Sequence, residues 1–150
     1  MKRYLVLIPL LFSALLFCCP VMATEYEAGL NQAKKENKPL VLYLNTKNCY
    51  YCVAMEKTTL VDKEIEAILK KDFVFVMADV EKRSDLLKTY PIRGTPSSFF
   101  LDPSGKKLLS IPGYIGKSDF KMTLEYVRDG HYKTTDFVEY RKKHAKAEGK

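Results

Sequence analysis

The 150-residue chain has no tryptophan and only two histidines, and its seven glycines and seven prolines gather into no run. With no repeat and no Pro- or Ser-rich stretch, there is no low-complexity linker to split it, and the length allows one ordinary domain. The histidines, His131 and His144, lie far from the cysteines and lack ligand spacing. Beyond the first 23 residues, which hold Cys18 and Cys19, there is also no second cysteine pair, which argues against a zinc site. Val53, not histidine, follows the Cys49–Cys52 pair, so the pattern for covalent haem attachment is missing. No metal and no cofactor are therefore expected.

The first 23 residues differ in kind from the rest. Lys2 and Arg3 open the chain, Tyr4 to Cys19 is an unbroken run of apolar and small residues, and Pro20 ends it. Val21-Met22-Ala23 then supplies the short residues that a signal peptidase reads, so residues 1–23 are expected to be a signal peptide and Thr24 the first mature residue. The run is short against the ~20 apolar residues of a spanning helix, which disfavours an uncleaved anchor. A lipoprotein is disfavoured by Phe17 and Cys18, which precede Cys18 and Cys19 where a small residue is wanted. The chain does not end in an endoplasmic-reticulum retention signal, and the expected destination is the bacterial periplasm. Removing the leader deletes two basic residues and no acid. That leaves 23 basic residues against 18 acidic, a balance of +5 in place of +7. So mild an excess, without a clustered basic face, gives no reason to expect nucleic acid as a partner.

Four cysteines become two in the mature chain, and both sit in Cys49-Tyr50-Tyr51-Cys52. An isolated close pair in an oxidising compartment is redox-active or oxidised. Around it, hydrophobic spacing predicts a helix over Glu25 to Glu36, with Tyr26, Leu30 and Ala33 on one face. Leu40 to Leu44 reads as a strand buried on both faces. Helices are predicted from Cys49 to Lys57, from Asp62 onward and over Ser84 to Tyr90, with a buried strand over Phe73 to Ala78 between the last two. Ser97 to Leu101 and Lys107 to Ile111 form a hairpin about Asp102-Pro103-Ser104-Gly105. A helix over Lys117 to Asp129, stopped by Gly130, and a last one capped by Thr135 and running through Tyr140 complete the chain. Strands alternating with helices imply an α/β fold: a mixed sheet of about four strands with helices on both faces.

The cysteine motif follows a buried strand and opens a helix. Free backbone N–H groups at a helix start stabilise negative charge, so Cys49 is the candidate attacking thiolate. Lys47 adds positive potential. Cys52, one turn in, is the candidate resolving thiol. A purely structural disulfide is the competing reading, although so short a loop restricts the unfolded chain little.

Cys49-Tyr50-Tyr51-Cys52, Arg93-Gly94-Thr95-Pro96, the run Phe99 to Lys106 and Pro112-Gly113-Tyr114 together resemble the thioredoxin-like superfamily. Periplasmic SoxW-type thioredoxins and the C-terminal domain of DsbD-type reductases are similar over about Lys38 to Tyr140. Gly130-His131-Tyr132-Lys133 and the short terminal helix resemble SoxW-like proteins in particular. The resemblance implies a cis Thr95–Pro96 peptide facing the cysteines, with Thr95, Pro96, Tyr50 and Tyr51 meeting the substrate. Two departures stand out. The buried acid common six residues before the first cysteine is Tyr43 here, and the tryptophan directly before it is Asn48. Glu56 matches a glutamate of the DsbD-type domain and lies i+4 from Cys52, hence on its side of a helix. It is the candidate proton acceptor for Cys52, against the plainer reading of a solvated helix glutamate.

The expected activity is a thiol–disulfide oxidoreductase acting on disulfides of exported proteins. The reductive likeness tilts the direction toward reduction, with a membrane thiol reductase as a candidate electron donor and a monomer as the expected form. An oxidase of the same fold is one alternative. A non-catalytic binding or chaperone-like module is the other, with Tyr50, Tyr51, Phe99, Phe100 and Tyr114 as its aromatic surface.

Overall fold

The computed structural model describes residues 25–148; the expected leader, residues 1–23, lies outside them. The elements run α1 (Glu25–Glu36), β1 (Leu40–Asn45), α2 (Tyr50–Thr58), α3 (Lys63–Asp72), β2 (Val74–Asp79), α4 (Leu86–Thr89), β3 (Ser97–Leu101), β4 (Lys107–Pro112), α5 (Lys117–Arg128) and α6 (Phe137–Glu148). A 3-10 turn over His131–Lys133 joins the last two. Four strands form one sheet in the order β2-β1-β3-β4, with β1 parallel to β2 and antiparallel to β3.

Alternation along β1 assigns its side chains to two cores. Leu40, Leu42 and Leu44 join Ala33 of α1, Leu86 of α4, and Val74, Val76, Phe99 and Leu101. Val41 and Tyr43 join Met55 of α2, Ile65 and Leu69 of α3, Phe120 and Leu124 of α5, and Tyr140 of α6. Both faces of the sheet are therefore covered by helices, as the continuous apolar run of β1 requires. Each such aliphatic or aromatic side chain contributes ~1.5–3 kcal/mol by leaving water. On the first face, Gly29 brings α1 against β2: a Cβ there would meet the Val76 side chain.

Helix ends account for most departures from the sequence expectations. Asp62 caps α3, accepting from the backbone N–H groups of Glu64 and Ile65 at 3.1 and 3.4 Å. That helix continues to Asp72, so Phe73 caps it and β2 starts one residue later. The segment before Tyr90 is helical only over Leu86–Thr89. The last helix does not begin on Thr135 or stop at Tyr140. Asp136 accepts from Val138 N–H at 2.8 Å, and the helix runs on to Glu148. Thr135 instead offers its carbonyl to the Tyr126 hydroxyl at 2.7 Å.

Candidate active site

The site lies at the carboxyl end of β1, where the chain leaves the sheet and turns into α2. Asn45 closes the strand, its carbonyl accepting from Val80 N–H at 3.0 Å. The turn that follows brings Cys49 N–H to within 3.4 Å of the Thr46 carbonyl. Cys49 occupies the N-cap of α2, a place usually taken by a side-chain oxygen. Its sulfur accepts from Cys52 N–H at 3.1 Å. In the reduced protein the same N–H, with the partial positive charge of the helix start, favours a thiolate at Cys49.

The two cysteines form a disulfide with their Cα atoms 5.2 Å apart. They differ in access: Cys49 is half-buried, while Cys52 is 1% exposed. Beneath Cys52 lies a polar group absent from the apolar face. The fully buried Tyr43 donates its hydroxyl to the Cys52 carbonyl at 3.4 Å. Burial pushes the Tyr43 hydroxyl pKa well above its ordinary value, and the Glu56 carboxylate pushes it further. Glu56 is half-buried and accepts from the Asn45 side-chain amide at 2.8 Å. It is therefore not a freely solvated helix glutamate.

Thr95, two residues before β3, meets this turn. Its hydroxyl lies 3.3 Å from that of Thr46, tying the segment before β3 to the loop that carries Cys49. The Thr95–Pro96 peptide is cis, and the buried Pro96 accepts from Gly113 N–H at 2.8 Å. Gly113 sits at φ +83°, a backbone region that suits glycine and lets Pro112-Gly113-Tyr114 fold beside Pro96. Tyr50 and Tyr51 are 80% and 61% exposed beside the cysteines, their rings edge-to-face at 5.4 Å. Tyr114 is also exposed, its hydroxyl 3.1 Å from that of Thr58 on α2. Phe99 and Phe100 do not belong to this surface: they are core residues on opposite faces of β3, 3% and 0% exposed. Lys47 is exposed on the turn.

Asn45 and Thr46 were not among the candidates from sequence. The signal for Asn45 was the period of two: Val41, Tyr43 and Asn45 share one face of β1, so a polar side chain ending the apolar run points under α2.

A mixed sheet covered on both faces, with a Cys-x-x-Cys disulfide opening the helix after its central strand, defines a thioredoxin-type protein with a redox motif. The chain belongs to the thioredoxin-like domain family, whose model matches residues 26–128. Spermatogenesis-associated protein 20 of Rattus norvegicus is 35% identical over 86 residues, 52% of this chain and 11% of that protein. Anterior gradient protein 3 of Mus musculus is 32% identical over 79 residues, 53% of this chain and 47% of that protein. The chain thus spans less than half the length of either relative. Among solved structures, a thioredoxin-fold protein of Helicobacter pylori superposes with a TM-score of 0.65 at 24% identity, over 75% of this chain and 82% of that one. The reduced DsbD C-terminal domain of Neisseria meningitidis superposes with a TM-score of 0.58 at 26% identity, over 67% and 91%.

Proposed function

We propose that the chain is an exported thiol–disulfide oxidoreductase that reduces disulfides in other exported proteins through Cys49 and Cys52. One observation carries the reading: Cys49 sulfur caps α2 and accepts from Cys52 N–H, while Cys52 itself is shielded. Attack by Cys49 thiolate on a substrate disulfide forms a mixed disulfide and releases one substrate thiolate, which takes up a proton. Cys52 then loses its proton to Glu56, directly or through one water, and attacks Cys49 sulfur. The Cys49–Cys52 bond forms, the second substrate sulfur leaves, and two electrons have passed from the dithiol to the substrate.

Export rests on the leader-like residues 1–23 and the reducing direction on the likeness to a DsbD domain, which also suggests a membrane thiol reductase as the electron source. Tyr50 and Tyr51 lie between the cysteines in the chain and Thr95 meets Thr46 in the loop before Cys49; these, with Pro96, are assigned to the substrate. The test is release of thiols from a disulfide-bonded exported protein by the reduced chain, with Cys49→Ser as control. A reduction potential near about −270 mV fits a reductant, and one near about −120 mV reverses the direction. Recovery of full-length material still beginning at Met1 from the exported fraction would remove the cleaved-leader part.

The exposure of Tyr50 and Tyr51 favours one second reading, a binding module that uses them as its contact surface. Such a module works unchanged when both cysteines are serine; an oxidoreductase does not.

A further inference from the structure

We propose that Asn45 is a positioning residue for disulfide exchange: its side-chain amide holds the Glu56 carboxylate beside the Tyr43 hydroxyl, where it takes the proton of Cys52. The inference rests on the oxidoreductase reading above and assigns the residue that makes its second step work.

Tyr43 fills the strand position where a buried acid would otherwise lie directly under the motif, and a tyrosine whose pKa is pushed upward is no base near neutral pH. The carboxylate that interacts with the Tyr43 hydroxyl is Glu56, which is not on the strand but on α2, one turn beyond Cys52. A glutamate has three side-chain torsions, and half-buried on a helix it has a competing place in solvent. Asn45 removes that freedom. Its backbone is fixed by Val80 at the end of the central strand, and its amide reaches the Glu56 carboxylate at 2.8 Å. Tyr43, two residues earlier on the same strand face, joins the Cys52 carbonyl at 3.4 Å to this cluster. Strand and helix are thus linked side chain to side chain directly below the resolving cysteine.

The choice of residue type matters. Asparagine donates to the carboxylate without adding charge, so it fixes Glu56 while leaving it able to accept and return a proton. A lysine there would hold it as a tight ion pair, and an aspartate would repel it. The other charged or titratable groups close to the cluster are Lys57 beside Glu56 on α2, Asp79 opposite Asn45 on β2, and Glu25, Tyr26, Lys47, Lys82 and Arg83 around the cavity that Asn45 lines. Arg83 is already paired with Glu27 and Asp85.

The step to be measured is the second one: Cys52 S–H is broken, its proton passes to Glu56, a Cys52–Cys49 bond forms, and the substrate sulfur leaves and collects a proton from solvent. Stopped-flow reduction of a disulfide-bonded substrate between pH 5 and 9, in wild type, Asn45→Ala, Asn45→Asp and Glu56→Gln, separates attack from resolution. Asn45→Ala is expected to slow resolution about tenfold near neutral pH, the worth of one such hydrogen bond, with attack by Cys49 within about twofold of wild type. The acid limb of the resolution profile should move to higher pH in Asn45→Ala, and further in Asn45→Asp, where a second carboxylate opposes ionisation of Glu56. In a Glu56→Gln background, Asn45→Ala should cost nothing more.

Equal slowing of both steps, an acid limb indifferent to residue 45, or an Asn45→Ala penalty that persists in Glu56→Gln would each overturn the assignment. Carbon-13 titration of the Glu56 carboxyl in the oxidised protein gives a readout that needs no turnover: its midpoint should rise in Asn45→Ala, and an unchanged midpoint counts against the proposal. If reduced wild type releases no substrate thiols at all, the oxidoreductase reading fails; if it does and residue 45 is silent, only the role of Asn45 falls.

Discussion

On the face that carries α1 and α4, the sheet presents Leu40, Leu42, Leu44, Val74, Val76 and Leu101, and α1 lies close enough to need Gly29. On the face that carries α2, α3 and α5, the equivalent surface is broken near one end by Tyr43, Asn45 and Ser98. Ser98 lies opposite Tyr43 in register and is fully buried, and its hydroxyl has no hydrogen-bond partner among the described residues. The first face also holds polar groups, but they are satisfied: the Ser97 hydroxyl donates to the Gly94 carbonyl at 2.8 Å and the Tyr90 hydroxyl meets that of Tyr26 at 2.7 Å, whereas Tyr43, Asn45 and Ser98 interrupt the face beneath the cysteines. The difference separates support from chemistry: a resolving thiol must be shielded yet able to lose a proton, and an all-apolar floor would hold that proton in place.

Four substitutions break or sharpen this contrast, in descending order of effect. Cys52→Ser should abolish turnover while leaving attack by Cys49, so mixed disulfides with substrate accumulate; non-reducing electrophoresis of the quenched reaction detects them. On the dry face, Gly29→Ala forces a methyl group into the Val76 side chain and should cost ~1–3 kcal/mol of unfolding free energy in urea. Its exchange rate per folded molecule should not change, because Gly29 packs on Val76, Leu40 and Val74, on the sheet face opposite α2.

Asp62→Asn probes the wet face away from the site. Lys117, 3.0 Å from Asp62, holds its carboxyl below the usual range, helped by the Ile65 and Glu64 backbone N–H groups. A depressed folded-state pKa contributes stability above the unfolded value near ~3.9 and loses it as pH falls through the folded value. The Tm deficit of Asp62→Asn should therefore be greatest near neutral pH and shrink on acidification below about pH 4. Smallest of all, Ser98→Ala removes a buried hydroxyl that has no partner and should leave the Tm unchanged or raise it, by up to ~1 kcal/mol in stability. A clear loss would mean that the hydroxyl is engaged in the folded protein.

How far this contrast was legible in the sequence follows from the kind of signal each element gives. Strand β1 was readable because five consecutive apolar residues have few other uses, and the cysteine motif because its spacing and its place between strand and helix coincide. The face of α5 followed from Phe120, Leu124 and Val127. The extension of α6 did not. Arg141, Lys142 and Lys143 carry no apolar period, and that turn is held by polar contacts: Lys143 with Glu139 at 2.8 Å, and Arg141 with Asp119 at 3.3 Å. Thr135 and Asp136 are both good caps by type, and only the chain geometry selects Asp136. Glu56 was singled out by the resemblance to the DsbD-type domain and placed on the side of Cys52 by helical spacing. Its link to Asn45 joins residues eleven apart through the pairing of a strand with a helix, and no local pattern specifies that.

An accessible Cys49 at the start of α2 and a shielded Cys52 should divide the labour of exchange between them, and alkylation can tell the two apart. Reduced protein is treated with iodoacetamide across pH 4 to 10, and the modified cysteine is mapped by mass spectrometry. Cys49 should be labelled first, with a midpoint below the ~8.5 of an ordinary thiol, and Cys52 only slowly or after unfolding. Equal labelling of the two, preference for Cys52, or a Cys49 midpoint at or above the ordinary value would contradict it.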